Sequence, residues 1–304
     1  MSRYHDLTVK LAERIATGEV APGASLPSTR VLAASERTTP TTVARAYREL
    51  AEAGAIVLEP RRGARVAPRG VIAARAILRE GETFRLAGSD DPALNMLLSA
   101  ASEAVVPVGA TGSYRGLGAL ASGRADGAAL HLRHRDGEYN APFVRGVLAG
   151  RDAVLVHLWH REQGLLVPAG NPRGVGAVAD LAALRVARRP VGTGTRSLLD
   201  RLLLQAAIDP DALSGPTVEV HLDVAVAVGT GEADVGLGVR SAATALGLDF
   251  VPLIWEPFQI ATTRADSGGL APLVALLGDD STLERVAALG GYDVAGAGEL
   301  LEIG

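Results

Sequence analysis

The spacing of apolar positions changes several times along the chain, and each change predicts an element. From Tyr4 to Thr17, the residues Leu7, Val9, Leu11 and Ile15 give a largely amphipathic helix that Gly18 ends. After the turn Val20-Ala21-Pro22-Gly23, Ser28 is placed to cap a short helix through Val31, Leu32 and Ala33. Arg37-Thr38-Thr39 breaks that helix. Pro40 then suits the first position of a third, whose Val43, Ala46, Tyr47 and Leu50 share one face while Thr41, Thr42, Arg45 and Arg48 lie on others. Two short strand patterns, 55–58 and 64–67, flank Glu59-Pro60-Arg61-Arg62-Gly63. Over 71–82, Ile72, Ala73, Ala76 and Ile77 form an apolar stripe closed by Gly81, which predicts a helical connector in place of a free tether.

From residue 83 the pattern becomes strand, turn, helix. Thr83–Ala87 runs to Gly88-Ser89-Asp90 and a helix through Leu94, Leu97 and Leu98, and Val105–Val108 runs to Gly112-Ser113-Tyr114 and a helix through Leu117 and Leu120. A third unit has Gly192-Thr193-Gly194-Thr195 before a helix through Leu198, Leu199, Leu202 and Leu203, and in a fourth Asp223 is placed to cap Val224, Ala227 and Val228. In open α/β sheets ligands bind at the carboxyl ends of strands, so the four turns are expected to meet at one cleft. Glycines allow close backbone approach, and the first N–H groups of a helix lack intrahelical partners, so residues 192–195 form an anion cradle. The same pattern also suits a plain Thr-capped helix start. Arg196 either neutralises a ligand carboxylate or pairs with Asp200 one turn on. His131 and Arg161 each follow an apolar stretch and are further cleft candidates, as are Glu138, Tyr139 and Asn140. The i+3 pairs His131/His134 and His157/His160 are read as structural histidines, and no metal site is expected. Gly-x-Ala-Asp recurs at Gly123–Asp126 and Gly231–Asp234 as a helix-to-strand turn whose aspartates cap turns.

Composition narrows the function classes. The 304 residues include 36 glycines and few aromatics, which suits an α/β protein rich in tight turns. No apolar run of about 18 residues and no charged-then-apolar leader is visible, so a cytoplasmic protein without a membrane partner is expected. The absence of cysteine excludes disulfides, thiolate metal sites and cysteine nucleophiles. Residues 1–70 carry 11 Lys and Arg against 7 Asp and Glu, whereas the remainder carries 19 against 27. A basic head on an acidic body points to an anionic partner for the head alone. Lys10 is the only lysine, so the body cannot form a Schiff base. No Gly-x-Ser-x-Gly occurs, and the serines at predicted helix starts lack an identifiable base, so neither catalysis nor a cofactor is expected.

Two resemblances follow from these residues. Residues 4–68 resemble a winged helix–turn–helix of the GntR family through Gly18, Pro22-Gly23, Leu26-Pro27-Ser28-Thr29-Arg30, Leu32-Ala33, Thr42-Val43, Ala46-Tyr47, Leu50, Gly54 and Arg62-Gly63-Ala64-Arg65-Val66. The resemblance implies that Thr38, Thr39, Thr41, Thr42 and Arg45 face the major groove, that Arg30 contacts a phosphate or guanine, and that Arg61 and Arg62 reach the backbone or minor groove. The chain departs from the family at Glu36–Pro40, where a glycine turn is usual.

Residues 84–257 resemble a type II periplasmic-binding-protein fold, in particular the ligand domain of molybdate-related regulators. The matching segments include Gly88-Ser89-Asp90, Gly112-Ser113, Gly123–Asp126, Arg161–Leu165, Gly170-Asn171-Pro172, Gly192–Leu199 and Gly231–Gly238. The implied fold class is α/β: a winged helix–turn–helix over 1–70, a connector over 71–82 and a two-lobed ligand domain over 83–304. Lobe 1 would take about 83–163 and 257–304, and lobe 2 about 168–250, with crossings near Gln163–Pro168 and Phe250–Pro257. Ser89, Ser113, Thr193, Gly194 and Thr195 would hold an anion, with Tyr114, His131, Arg161, Arg196 and Asp223 beside them. The expected function is a homodimeric, ligand-responsive regulator on a palindromic double-stranded DNA operator, with repression the favoured sign and lobe closure changing the spacing of the heads. Molybdate or tungstate follows from the resemblance, while Arg196, His131 and Arg161 equally suit a small carboxylate or amino acid. A transporter's solute-binding protein and a helical metal sensor are the alternatives that are not regulators of this kind.

Overall fold

In a computed structural model of the chain, residues 3–60, 63–79 and 82–303 are described, and they form two compact units. The first comprises the residues up to Phe84 together with Glu103–Val105 and Arg264–Leu276. Its helices α1 (Arg3–Ala16), α2 (Thr29–Ser35) and α3 (Pro40–Glu52) precede an antiparallel hairpin, β1 (Ile56–Glu59) and β2 (Gly63–Val66), and then helix α4 (Gly70–Leu78). Leu7, Leu11 and Ile15 of α1 pack with Val43, Tyr47 and Leu50 of α3, the apolar faces that the helical spacing predicts. Ser28 caps α2 by accepting from the Val31 N–H at 3.3 Å, and Thr39 caps α3 by accepting from the Thr42 N–H at 3.2 Å, with Pro40 in the first turn. Between them Arg37 has φ 50°, the left-handed conformation for which a glycine would be the usual choice. Arg75 of α4 is buried and donates to the Ala16 carbonyl at 3.2 and 3.3 Å and to Ser267 Oγ at 2.9 Å, fastening α4 between the end of α1 and the 3-10 turn Ser267–Leu270.

The second unit contains most of one mixed sheet and its flanking helices. In chain order come β3 (Phe84–Gly88), α5 (Pro92–Ala101), β4 (Val105–Thr111), α6 (Ser113–Ala121), β5 (Gly127–Leu130), α7 (Ala141–Val147) and β6 (Ala153–Val167). There follow β7 (Val186–Ala187), α8 (Gly194–Gln205), α9 (His221–Gly229), β8 (Val235–Val239), α10 (Arg240–Ala245) and β9 (Asp249–Thr263). Helix α11 (Ala271–Leu276) belongs to the first unit, and α12 (Asp280–Ala288), β10 (Tyr292–Asp293) and β11 (Leu300–Ile303) complete the second. The strand order is β4-β3-β5-β9-β6-β8-β7, with β10 and β11 also on β6.

The two 15-residue strands β6 and β9 are the spine of this unit. They pair antiparallel from Ala153↔Thr263 to Val167↔Asp249, with register shifts at His157/Trp159 and Gln163/Gly164. At about 3.3 Å per residue, each spans roughly 50 Å. One end of the pair carries a core of Leu117, Leu130, Val144 and Leu155, and the other carries cores around Leu165, Leu199 and Val235 and around Val224, Val228 and Val239. The chain therefore passes between the lobes along continuous paired strand.

Two local expectations need correction. Helix α5 starts at Pro92, and its capping group is the Asp91 carboxylate, which accepts from the N–H groups of Ala93 at 2.9 Å and Leu94 at 3.0 Å; Ser89 lies upstream of the helix. Helix α9 starts at His221, so Asp223 is its third residue and accepts from the Val220 N–H at 3.3 Å. The aspartates of the repeated Gly-x-Ala-Asp do more than cap turns. Asp126 binds the backbone N–H of Arg85 at 2.8 Å and its guanidinium at 2.8 and 3.1 Å, and Asp234 does the same to Arg185 at 2.9, 3.0 and 3.2 Å. Each lobe thus pins the start of one parallel strand to the turn before its neighbour.

Candidate functional site

The site begins with the side-chain parity of β6 and β9. Arg161 and Gln163 are two residues apart on β6 and share a face, and Glu256 on β9 stands directly opposite Arg161. All three are buried. Arg161 Nε donates to Glu256 Oε1 at 3.1 Å, its Nη1 donates to Asp91 Oδ2 at 2.8 Å and to the Asp90 carbonyl at 3.3 Å, and its guanidinium carbon lies 4.3 Å from the Phe258 ring centroid. Gln163 Nε2 donates to the same Glu256 oxygen, which also lies 2.8 Å from His131 Nδ1. Sequence reading placed Arg161 after a strand; it lies within one, its charge committed to two carboxylates.

Around this centre the loop ends converge. Ser89 Oγ and Ser113 Oγ share a hydrogen bond of 2.6 Å, and the backbone N–H of His131 donates to Ser113 Oγ at 3.4 Å. Tyr292 OH donates to Asp91 at 3.3 Å and is 3.0 Å from Ser241 Oγ. From the second lobe, the His221 N–H at the start of α9 donates to Asp90 Oδ2 at 3.0 Å, and Arg189 Nη1 is 3.7 Å from that oxygen. The Tyr114 N–H donates to the Gly192 carbonyl at 3.3 Å. Gly194 lies against the His131 ring so closely that a Cβ there would sit 2.4 Å from Cε1, and a Cβ on Gly112 would sit 2.9 Å from the Gly192 carbonyl oxygen. Only residues without side chains allow this approach. The lobes therefore touch, and the cavity lined by His131, Glu256, Gly194, Tyr114 and Arg201 measures about 20 Å³. That is room for about one water molecule.

Burial sets the protonation states. It pushes the Asp91 carboxyl up despite Arg161 beside it. Burial also works to raise Glu256, but His131, Arg161 and Gln163 together hold it below the ordinary carboxylate range. Burial lowers His131 even with Glu256 as neighbour, and takes His221 well down, helped by Arg189 and Arg161. Both imidazoles are consequently neutral near pH 7. Arg189 is lowered by burial. Several buried atoms here have no hydrogen-bond partner: Arg161 Nη2, Gln163 Oε1, Arg189 Nε, Thr195 Oγ1 and His221 Nδ1.

The remaining sequence candidates divide. Thr193 uses its hydroxyl locally, donating to the Pro190 carbonyl at 2.9 Å and accepting from the Arg196 N–H at 3.2 Å as the α8 cap. Arg196 makes the Asp200 ion pair, at 2.7 Å. Tyr114 is substantially exposed, with its ring edge-on to Phe143. Asn140 is fully buried and structural, with φ 53°, accepting from the Leu132 N–H at 2.7 Å and donating to Gln259 at 2.8 Å. Among the described residues no group of three or more His, Asp or Glu is arranged to hold a metal. Asp91, Arg189, His221 and Glu256 were not singled out from sequence. The signal for Glu256 was present, a carboxylate inside a long apolar strand pattern with no adjacent countercharge.

On the head, Arg30, Thr39, Thr41 and Arg45 are exposed, and Thr38 and Thr42 are half-buried. Thr39 is engaged as the α3 cap and lies 2.9 Å from the Thr42 hydroxyl, while the Arg45 guanidinium sits 3.7 Å from the Tyr4 ring centroid. Arg61 and Arg62 lie outside the described residues.

Comparison with known proteins adds the following. Residues 95–277 match the family described as PBP superfamily domain, and residues 3–66 match that of bacterial regulatory proteins, gntR family. The uncharacterized protein YvgK of Bacillus subtilis (strain 168) is 32% identical over 195 residues, a stretch covering 62% of this chain and 63% of that protein. Similar solved structures include the effector-binding domain of QuiR in complex with shikimate, at 13% identity and TM-score 0.45 over 63% of this chain and 95% of that one. Another is PhnD1 from Prochlorococcus marinus (MIT 9301) in complex with methylphosphonate, at 10% identity and TM-score 0.49 over 72% and 92%. Among the described residues no helix is long and apolar enough to cross a membrane.

Proposed function

The chain belongs to the PBP superfamily over residues 95–277 and carries a gntR-family regulatory domain over residues 3–66, and from that premise we propose a cytoplasmic transcription regulator whose grip on DNA responds to a small anionic or polar ligand held between two lobes. The pairing of a DNA-reading head with a ligand-binding body supports a ligand-responsive regulator. The observation that carries the ligand reading is the surplus of buried hydrogen-bonding atoms: Arg161 Nη2, Arg189 Nε and Thr195 Oγ1 lack partners, and the hydroxyls of Ser89 and Ser113 pair with each other. Such groups cost free energy when left unmade, and a ligand that fills them gains it back.

Because the lobes already touch, a ligand larger than water enters only if Gly194 and His131 part. The ligand then acts by its differential affinity for the parted arrangement, and the head reads the change in population. Two heads in a homodimer reading a palindromic operator, with repression as the sign, complete the reading.

A thermal-shift screen of the full chain against molybdate, tungstate, sulfate, phosphate, small carboxylates and amino acids tests it, repeated with Thr195→Ala combined with Ser113→Ala. A true ligand at a hundredfold excess over its Kd stabilises by about 2.7 kcal/mol, and the double variant loses that shift. A shift that survives in the double variant would place the ligand elsewhere.

A further inference from the structure

The buried atoms of the cleft specify more than an anion. The Gln163 amide is orientated by chemistry: its NH2 faces Glu256 Oε1, which as a carboxylate oxygen only accepts, so Gln163 Oε1 points away and stands buried without a partner. The same carboxylate fixes the His131 tautomer. Nδ1 lies 2.8 Å from Glu256 Oε1 and therefore carries the proton, which leaves Nε2 of the neutral ring as an acceptor. That edge of the ring meets the start of α8: a Cβ on Gly194 would be 2.7 Å from Nε2. Gln163 Oε1 is thus an unfilled buried acceptor and His131 Nε2 a second acceptor, while Arg161 Nη2 and Arg189 Nε are unfilled buried donors and the Thr195 hydroxyl is able to serve either way.

Arg161 and Arg189 face the carboxyl groups of Asp90, Asp91 and Glu256, and Arg133 and Arg201 line the cavity beside them. A ligand with acceptors alone would leave Gln163 Oε1 buried and unfilled.

We propose that the cleft selects a ligand that donates hydrogen bonds as well as accepting them: a small hydroxy- or amino-monocarboxylate, in preference to a fully deprotonated tetrahedral dianion such as molybdate, which only accepts. This rests on the interlobe ligand reading above and narrows it. A site that bonds ligand O–H or N–H groups rejects the analogue lacking them, because its own buried atoms are then left unpaired.

Isothermal titration calorimetry on the full chain tests the proposal with glycerate and serine as donor-bearing probes, propionate as the donor-free monocarboxylate, and sulfate and molybdate as dianions. The expected result is binding of glycerate or serine at least tenfold tighter than of propionate, sulfate or molybdate. Gln163→Met and, separately, Thr195→Val are each expected to weaken the preferred probe tenfold or more and to narrow its lead over propionate. Thr195→Val removes only an unpartnered hydroxyl, so it reports even where Gln163→Met disturbs Glu256. Sulfate or molybdate binding as tightly as the donor-bearing probes, and lost in Thr195→Val, overturns this proposal while leaving the cleft reading in place. Binding by none of the probes overturns both.

Discussion

Gly194 shows how one residue governs the cleft. Its missing side chain lets the start of α8 rest on the His131 ring, and an added methyl would meet three ring atoms at 2.4–2.7 Å. In Gly194→Ala the lobes are expected to part while each lobe's core stays folded. Hydrogen–deuterium exchange should then show faster exchange of the His221 amide, which in the closed arrangement is held by Asp90 of the other lobe. Unchanged protection there would contradict the closed geometry. Arg161 has the opposite role, holding two buried carboxylates at once. Arg161→Met leaves Asp91 and Glu256 without their cation and is expected to cost about 3–5 kcal/mol in urea denaturation. At this scale the turns were legible in the sequence: Ser89 and Ser113 share a hydrogen bond and Thr195 Oγ1 is buried without a partner. Glu256, Arg189 and His221 went unseen because their partners are cross-strand or interlobe and far away in sequence, whereas of the two roles open to Arg196 the ion pair with Asp200 one turn away is formed.

Elements were the most legible scale. The helical spacing of Leu7, Leu11 and Ile15, the Ser28 cap and the Pro40 start all reappear, because each rests on contacts within a few residues. The long strands were less visible. Buried on both faces over much of its length, β6 has apolar ends, Ala153–Val156 and Leu165–Val167, around the polar stretch His160–Gln163 and no period-2 alternation, so its passage from one lobe to the other left no periodic signal. The repeated Asp126/Arg85 and Asp234/Arg185 clamps also needed the structure, since each joins residues some 40–50 apart. Asp234 offers a pH test of the clamp. Its hydrogen bonds to Arg185 hold its carboxyl down at about 2. A depressed carboxylate contributes stability that is present above its unfolded value of roughly 4 and fades as pH falls towards 2. Wild-type stability should therefore fall more steeply than that of Asp234→Asn between pH 5 and pH 2, measured by denaturation at each pH. Parallel slopes would show that the Arg185 clamp is not formed in solution.

For the whole molecule, the basic head and acidic body already separated a DNA-binding part from a ligand-binding part in the sequence. The match of residues 3–66 to gntR-family regulators and of residues 95–277 to the PBP superfamily agrees with that division of labour. What joins the two functions is a coupling free energy, and couplings of this kind typically amount to about 1–3 kcal/mol, or roughly 5–150-fold in affinity. The most direct test selects a duplex from a random double-stranded DNA pool with the full chain, then measures its affinity by fluorescence anisotropy with and without a saturating ligand that thermal shift has identified. A specific duplex is expected to be enriched, and its Kd to change at least fivefold on ligand addition in the wild type but not in the Thr195→Ala, Ser113→Ala double variant. Failure to enrich any duplex, or a Kd that stays the same when the ligand saturates the protein, would contradict a ligand-responsive regulator.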